Sequence, residues 1–186
     1  MNEHLEVKAT TDALTGLTNR GHFMSQMETR LRSPNPGYLF YVDIDRFKTI
    51  NDNYGHQTGD EAITLIAKTI AQSFRPSDLI GRIGGEEFAV LCDCTSERDA
   101  HFLSERLRRN VESLRFVPRG GKTHPLSISV GVSRCLPSQS ISDIFGEADS
   151  ALYQAKDSGR NRVVHFPVAN DDTSSDLEDK AHKLSA

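Results

Sequence analysis

The chain has 186 residues, 37% of them hydrophobic and 26% charged, the balance of a globular domain with room for one sizeable core. Its formal charge of −4 arises mainly from Pro167 onward, where five acids meet two bases, so the remainder is close to neutral and offers no broad basic field for nucleic acid or anionic lipid. The longest apolar run, residues 38–42, is too short to span a membrane, and the polar first ten residues lack the pattern of a secretory signal.

Residues 1–10 read as the remnant of a linker helix entering from upstream. Thr11 and Asp12 offer a helix start, and Phe23, Met27 and Leu31 follow at helical spacing. The run Ser33-Pro34-Asn35-Pro36-Gly37 breaks that helix. Residues 38–44 are apolar and β-rich, which predicts a buried central strand. A polar stretch punctuated by Gly55 and Gly59 follows. The spacing of Ile63, Ile66, Ala67, Ile70 and Phe74 then predicts a helix over 59–74.

Two strands, 79–83 and 87–92, are joined by Gly84-Gly85-Glu86, which reads as a hairpin turn. A helix is expected over 97–114, and Pro118, Gly120 and Gly121 mark a loop. A strand over 126–135, a helix over 141–157 stopped at Gly159, and a strand over 161–166 complete the series. The acidic tail, 167–186, has little apolar content and is expected to be mobile. The three cysteines, Cys92, Cys94 and Cys135, fit neither a disulfide framework nor a four-ligand zinc site and read as reduced thiols of a cytoplasmic protein. The order β-α-β-β-α-β-α-β predicts an α/β (α+β) fold, with a ferredoxin-like, mostly antiparallel sheet flanked by helices.

Two acidic clusters carry the chemistry. Alternation along a strand puts the carboxylates of Asp43 and Asp45 on one side, at the end of a buried strand. They are either ordinary strand-end acids or the oxygen ligands of a cation, for which Mg²⁺ is the natural candidate. The second cluster, Gly84-Gly85-Glu86-Glu87, is either a solvated hairpin tip or a turn whose glycines let a phosphate approach the backbone. Together they suggest a carboxylate site for phosphoryl or nucleotidyl transfer. No phosphate-binding loop of the P-loop or Rossmann type is present. Phosphate would then be held by metal and by separate cations, for which Lys48, Arg82, Lys156 and Arg160 are candidates.

The stretch Arg82-Ile83-Gly84-Gly85-Glu86-Glu87-Phe88 matches the signature of the GGDEF family of diguanylate cyclases, in its GGEEF form. Further matches occur in family order. They are Asp12-x-Leu-Thr-Gly-Leu-x-Asn19-Arg20; Asp43-Ile44-Asp45-x-Phe47-Lys48-x-Ile50-Asn51-Asp52; Gly55-His56 and Gly59-Asp60; Ser129-x-Gly131-Val132; and Ala148-Asp149-x-Ala151-Leu152-Tyr153-x-Ala155-Lys156, ending in Gly159-Arg160-Asn161. The chain thus resembles this family over about 10–166, which would make residues 11–166 one cyclase domain with a nucleotide-cyclase-like sheet.

The resemblance implies a bacterial signalling enzyme that condenses two GTP into cyclic di-GMP and two pyrophosphates. One domain holds one GTP, so two domains must face each other in a homodimer, in keeping with the two-fold symmetry of the product. Asp43, Glu86 and the Ile44 carbonyl match the metal ligands, for Mg²⁺ or for Mn²⁺ as a substitute. Glu86, with Glu87, matches the acceptor of the 3′-hydroxyl proton, and Lys48 a cation that stabilises transition-state charge. Asn51, His56 and Asp60 match nucleotide contacts, Asp60 being suited to accept from guanine N1–H and N2–H₂. Phe47, Arg82, Gly84 and Gly85 lie within the matched substrate motifs, and Lys156 and Arg160 match the holders of the β- and γ-phosphates. Arg75-Pro76-Ser77-Asp78, five residues before Gly84, matches the RxxD site at which product inhibits, with Arg106 as its second arginine. An upstream sensor or receiver domain is a common family companion. The alternative is a catalytically silent domain that senses GTP or cyclic di-GMP, against which stands the full set of signature acids and glycines.

Overall fold

The computed structural model describes residues 10–137 and 139–167. The expected linker remnant, apart from Thr10, and the expected tail beyond Pro167 lie outside the described residues. Six strands, β1 (Thr18–Asn19), β2 (Tyr38–Ile44), β3 (Leu79–Arg82), β4 (Glu87–Cys92), β5 (Ile128–Arg134) and β6 (Val163–His165), form one sheet in the order β1-β3-β4-β2-β5-β6. The pairs β3–β4, β4–β2 and β2–β5 are antiparallel, and the two outer pairs are parallel. The inner four strands thus have the ferredoxin-like arrangement, with the first strand of the unit, β2, flanked by β4 and β5.

Five helices cover the two faces: α1 (Arg20–Arg30), α2 (Phe47–Tyr54), α3 (His56–Ser73), α4 (Glu97–Glu112) and α5 (Ile141–Asp157). Alternation along β2 divides the core. Phe40, Val42 and Ile44 pack with Ile63, Ile66 and Ile70 of α3 and Leu107 and Val111 of α4. On the opposite face Leu39, with Ala89 and Leu91, packs against Phe23 and Met27 of α1 and Ile144 and Ala148 of α5. No helix among the described residues is long and apolar enough to cross a membrane.

The structure differs from the sequence expectations at several points, among them the unpredicted short strand β1. The first helix starts at Arg20, with the Asn19 side chain accepting from His22 N–H as its cap, and not at Thr11-Asp12. Asp12 has the right chemistry for a cap, but its carboxylate accepts from the backbone and hydroxyl of Thr15 and so closes a turn. The polar stretch after β2 contains a helix of its own, α2, and α3 begins at His56. Gly59 therefore lies inside a helix, where its missing Cβ makes room for Asn51: a methyl there would fall 1.9 Å from Asn51 Oδ1.

Gly131 of β5 serves a similar purpose on the other face. A Cβ there would sit 2.0 Å from the Ala148 carbonyl oxygen and 2.4 Å from the Leu152 nitrogen, both backbone atoms of α5. Neither can yield without moving the helix that carries Lys156. Gly131→Ala is therefore expected to destabilise the fold by about 3 kcal/mol, the upper range for an overpacked core, read as a lower urea midpoint at unchanged slope.

Candidate active site

Asp43 is the penultimate residue of β2, 5% exposed, with Glu87 of β4 opposite it on one side and Ser129 of β5 on the other. The turn between β3 and β4 folds back over this strand end. Ile83 and Gly84 donate to the Glu87 carbonyl at 2.8 and 3.3 Å, closing the hairpin, and Ile44 N–H donates to the Glu86 carbonyl at 3.2 Å. The last bond seats Glu86 beside the end of β2. Arg82 braces the turn: its guanidinium donates to the Gly85 carbonyl at 2.7 and 3.2 Å and pairs with Asp12 at 3.1 Å. Arg82, a sequence candidate for phosphate, is thus engaged in shaping the turn. A Cβ at Gly85 would meet nothing within 4 Å, so the turn's outer surface is open to a ligand.

The acids perturb one another. Burial pushes the Asp43 carboxyl above its ordinary range, against the pull of Lys156, whose Nζ lies 2.8 Å from Oδ2. Glu86 is likewise raised, by burial first and by the charge of Asp43 second. Glu87 accepts from the Tyr41 hydroxyl at 2.7 Å, and burial with this bond pushes the Tyr41 phenol upward. Lys156 of α5 therefore neutralises the cluster from across the β5 crossing that Gly131 permits.

Asp45 does not join this group. It lies one residue beyond β2, where its carboxylate accepts from Ser127 Oγ at 2.7 Å, Ser129 Oγ at 2.6 Å and Asn161 N–H at 2.9 Å. Of the two readings left open for Asp43 and Asp45, these bonds give Asp45 a bracing role. Asp45 ties β2 and β5 to the turn after α5, where Arg160 and Asn161 have positive φ. Arg160 stands exposed on that turn. Sequence reading missed the bracing roles of Asp12, Tyr41 and Asp45. Serines at 127 and 129, spaced to face one acid across paired strands, were the available signal for Asp45.

A second group sits on α2 and α3. Phe47 is buried, and Lys48, His56 and Asp60 are exposed. Asn51 Oδ1 is buried, has no hydrogen-bond partner, and faces Gly59, the neighbour of Asp60. An orphaned buried acceptor is costly and marks a place where a partner belongs.

Among the described residues no group of three or more His, Cys, Asp or Glu side chains is gathered as a metal cage. The oxygen set here is smaller: the carboxylates of Asp43 and Glu86 and the carbonyl of Ile44. It fits a hard cation such as Mg²⁺, which takes one or two carboxylates and completes its shell with water and phosphate. The raised carboxyls, and the ammonium drawn to one of them, are the marks of a site short of positive charge.

A third group lies beyond the far end of the β3–β4 hairpin. A cleft of about 800 Å³ is lined by Arg75, Asp78 and Arg106, together with Cys92, Cys94 and Phe102. Asp78 accepts from the backbone N–H of Arg75 at 2.9 Å and of Asp93 at 3.2 Å, while Arg106 donates to the Ser73 carbonyl at 2.5 Å. The three residues singled out in the sequence as a product site thus share one cavity.

Comparison with known proteins bears on these groups. A family model described as diguanylate cyclase, GGDEF domain, matches residues 9–162. The chain is 39% identical over 166 residues to the probable diguanylate cyclase DgcT of Escherichia coli, covering 87% of this chain and 37% of that one. Among solved structures, the coiled coil and GGDEF domain of DgcB from Caulobacter crescentus, in complex with c-di-GMP, superposes with a TM-score of 0.82 at 34% identity over 88% of this chain and 91% of that one. The active GGEEF domain of a diguanylate cyclase from Vibrio cholerae matches with a TM-score of 0.71 at 32% identity, over 82% and 99% of the two chains. The chain spans less than half the length of the first curated relatives it matches.

The raised carboxyls set a pH dependence. Protons compete with a cation for Asp43 and Glu86, so Mn²⁺ affinity, read by electron paramagnetic resonance, is expected to fall on acidification from a pH above the ordinary carboxylate range. For the fold the sign is opposite. A carboxyl with a raised folded pKa favours the folded state below that pKa, and the advantage is lost as pH rises through it. Asp43→Asn is expected to abolish the acid-side dependence of Mn²⁺ binding together with most of the binding.

Proposed function

The chain belongs to the GGDEF family of diguanylate cyclases, and from that premise we propose that it condenses two GTP into cyclic di-GMP with release of two pyrophosphates. The observation that carries this reading is the seating of Glu86 against the end of β2, beside Asp43, by the Ile44–Glu86 backbone bond. The active GGEEF relative favours catalysis over a silent role for this variant of the signature.

The residues divide the work. Asp43, Glu86 and the Ile44 carbonyl would hold Mg²⁺, or Mn²⁺ in its place, which supplies positive charge against the triphosphate. Asn51 and Asp60 would read the guanine, the orphaned Asn51 Oδ1 finding its donor there, with His56 at the rim and Phe47 beneath. Lys156, drawn to Asp43 in this structure, would bind the β- and γ-phosphates together with Arg160. The open turn at Gly85 would leave room for the phosphates, and Arg82 keeps the turn in shape.

The 3′-hydroxyl of one GTP attacks the α-phosphorus of the other. A P–O bond forms to the 3′-oxygen and the bond to the β-phosphate oxygen breaks. Glu86, with Glu87 next to it on Tyr41, would take the hydroxyl proton. Lys48 would offset charge on the reacting phosphate. Because each domain holds one GTP, the reaction needs two domains face to face, related by two-fold symmetry. Arg75, Asp78 and Arg106 would bind the product in their cleft and restrain turnover.

Incubation with GTP and Mg²⁺ followed by nucleotide chromatography tests the reading. Cyclic di-GMP is expected from the wild type, with activity per mole rising as protein concentration rises. Glu86→Gln is expected to lower the rate about 10²-fold or more. Absence of product at concentrations where the chain is dimeric would overturn the enzymatic reading in favour of a nucleotide sensor. Arg75→Ala is expected to relieve product inhibition while leaving the initial rate within about twofold, since one lost rim contact lies outside the reacting centre.

A further inference from the structure

The cleft that holds Arg75 and Asp78 also holds two of the three cysteines. We propose that Cys92 and Cys94 are an oxidisable dithiol in the wall of the product cleft, and that their conversion to a disulfide by a hydroperoxide loosens Asp78 and weakens binding of cyclic di-GMP. The proposal rests on the reading of the cleft as the product site and adds a regulatory input to it.

Three observations carry it. First, Cys92 and Cys94 are two apart in the chain, both line the cleft, and each is the largest influence on the other's titration. Second, Cys92 pairs with Tyr38 as the last residue of β4, so Asp93 and Cys94 run free of the sheet ladder. Third, the residue between the cysteines holds the acid of the product site: Asp93 N–H donates to Asp78 Oδ1 at 3.2 Å. A ring closed between Cys92 and Cys94 re-aims that N–H. Of the two backbone N–H bonds to the Asp78 carboxylate, the one from Arg75 then remains.

The pair is also chemically poised. The hydrogen bond from the Cys92 thiol holds Cys94 below the usual thiol range and leaves Cys92 above it. Both side chains are nearly buried, at 3% and 9% exposure, yet both line the cleft, which admits a small oxidant. Cys135 makes the contrast. It lies in the opposite core layer, burial pushes its thiol up to about 12, and it does not line the cleft.

In the first step the Cys94 thiolate attacks one peroxide oxygen. An S–O bond forms, the O–O bond breaks, and the departing oxygen leaves as water or alcohol after taking a proton. The Cys92 sulfur then attacks the sulfenic sulfur; an S–S bond forms, the S–O bond breaks, and the oxygen leaves as water with the proton from Cys92. Two thiols lose two electrons and the peroxide gains them.

The test uses the whole chain, reduced or treated with hydrogen peroxide. Peptide mapping by mass spectrometry is expected to show the Cys92–Cys94 peptide lighter by two hydrogens, with Cys135 still open to alkylation after unfolding. Titration calorimetry with cyclic di-GMP is expected to show about tenfold weaker binding after oxidation, restored by a thiol reductant. Cys94→Ser should be blind to peroxide, its affinity the same before and after treatment. A disulfide that leaves affinity unchanged, or a pair that stays reduced while Cys135 oxidises, would overturn the proposal. Failure of the reduced chain to bind cyclic di-GMP at all, with Arg75→Ala indistinguishable from wild type, would instead overturn the product-site reading and the proposal's ligand with it.

Discussion

Carboxylates crowded at one end of a buried sheet repel each other, and the register between β2 and β4 makes that crowding unavoidable. Asp43 opposite Glu87 is a consequence of the six residue pairs along the two strands, Tyr38 with Cys92 through Asp43 with Glu87. A slip by one residue would turn Phe40, Val42 and Phe88 out of the core, so hydrophobic packing enforces an arrangement that electrostatics alone would reject. The fold answers with hydrogen bonds and one cation. Tyr41 takes Glu87, Lys156 takes Asp43, and the Ile44 N–H takes the Glu86 carbonyl. The remaining deficit of positive charge is the property a divalent cation would satisfy.

The β3–β4 hairpin links this end to the other. Its turn, residues 84–86, carries the acid and the open glycine. Its far end carries Asp78 before β3 and the Cys92-Asp93-Cys94 stretch where β4 ends. Four register pairs separate the two. On the proposed reading, product held at Asp78 would restrain the reacting groups without touching them, through the placement of whole domains. A change in the hold on Asp78 would tune that restraint and leave the acid turn intact.

Much of this was legible in the chain. The runs at 38–44 and 87–92 are so rich in β-branched and aromatic residues that their strands were plain, and α5 matched its expected bounds because Ser140 and Asp143 form a capping box ahead of its apolar spacing. What failed had local reasons. Asp12 carries cap chemistry but uses it on a turn, and α2 offers mainly Phe47 and Ile50 as buried residues, too few to stand out in eight. At the site, the motif located Asp43, Glu86 and Asn51, and Arg75, Asp78 and Arg106, grouped by the family resemblance, line one cleft. The partners were hidden. That Lys156 meets Asp43, that Arg82 serves the turn, and that Asp45 serves Ser127, Ser129 and Asn161 depends on which helix crosses which strand, which no spacing within one segment reveals.

The cation proposed for Asp43 and Glu86 would displace Lys156 from Asp43. Crystals grown with Mn²⁺ and a non-hydrolysable GTP analogue would test it through the anomalous signal of the metal. The account predicts a peak bridged by the Asp43 and Glu86 carboxylates and the Ile44 carbonyl, with Lys156 withdrawn from Asp43 to the terminal phosphates. A peak remote from both acids, with the Lys156–Asp43 pair intact beside bound nucleotide, would contradict it.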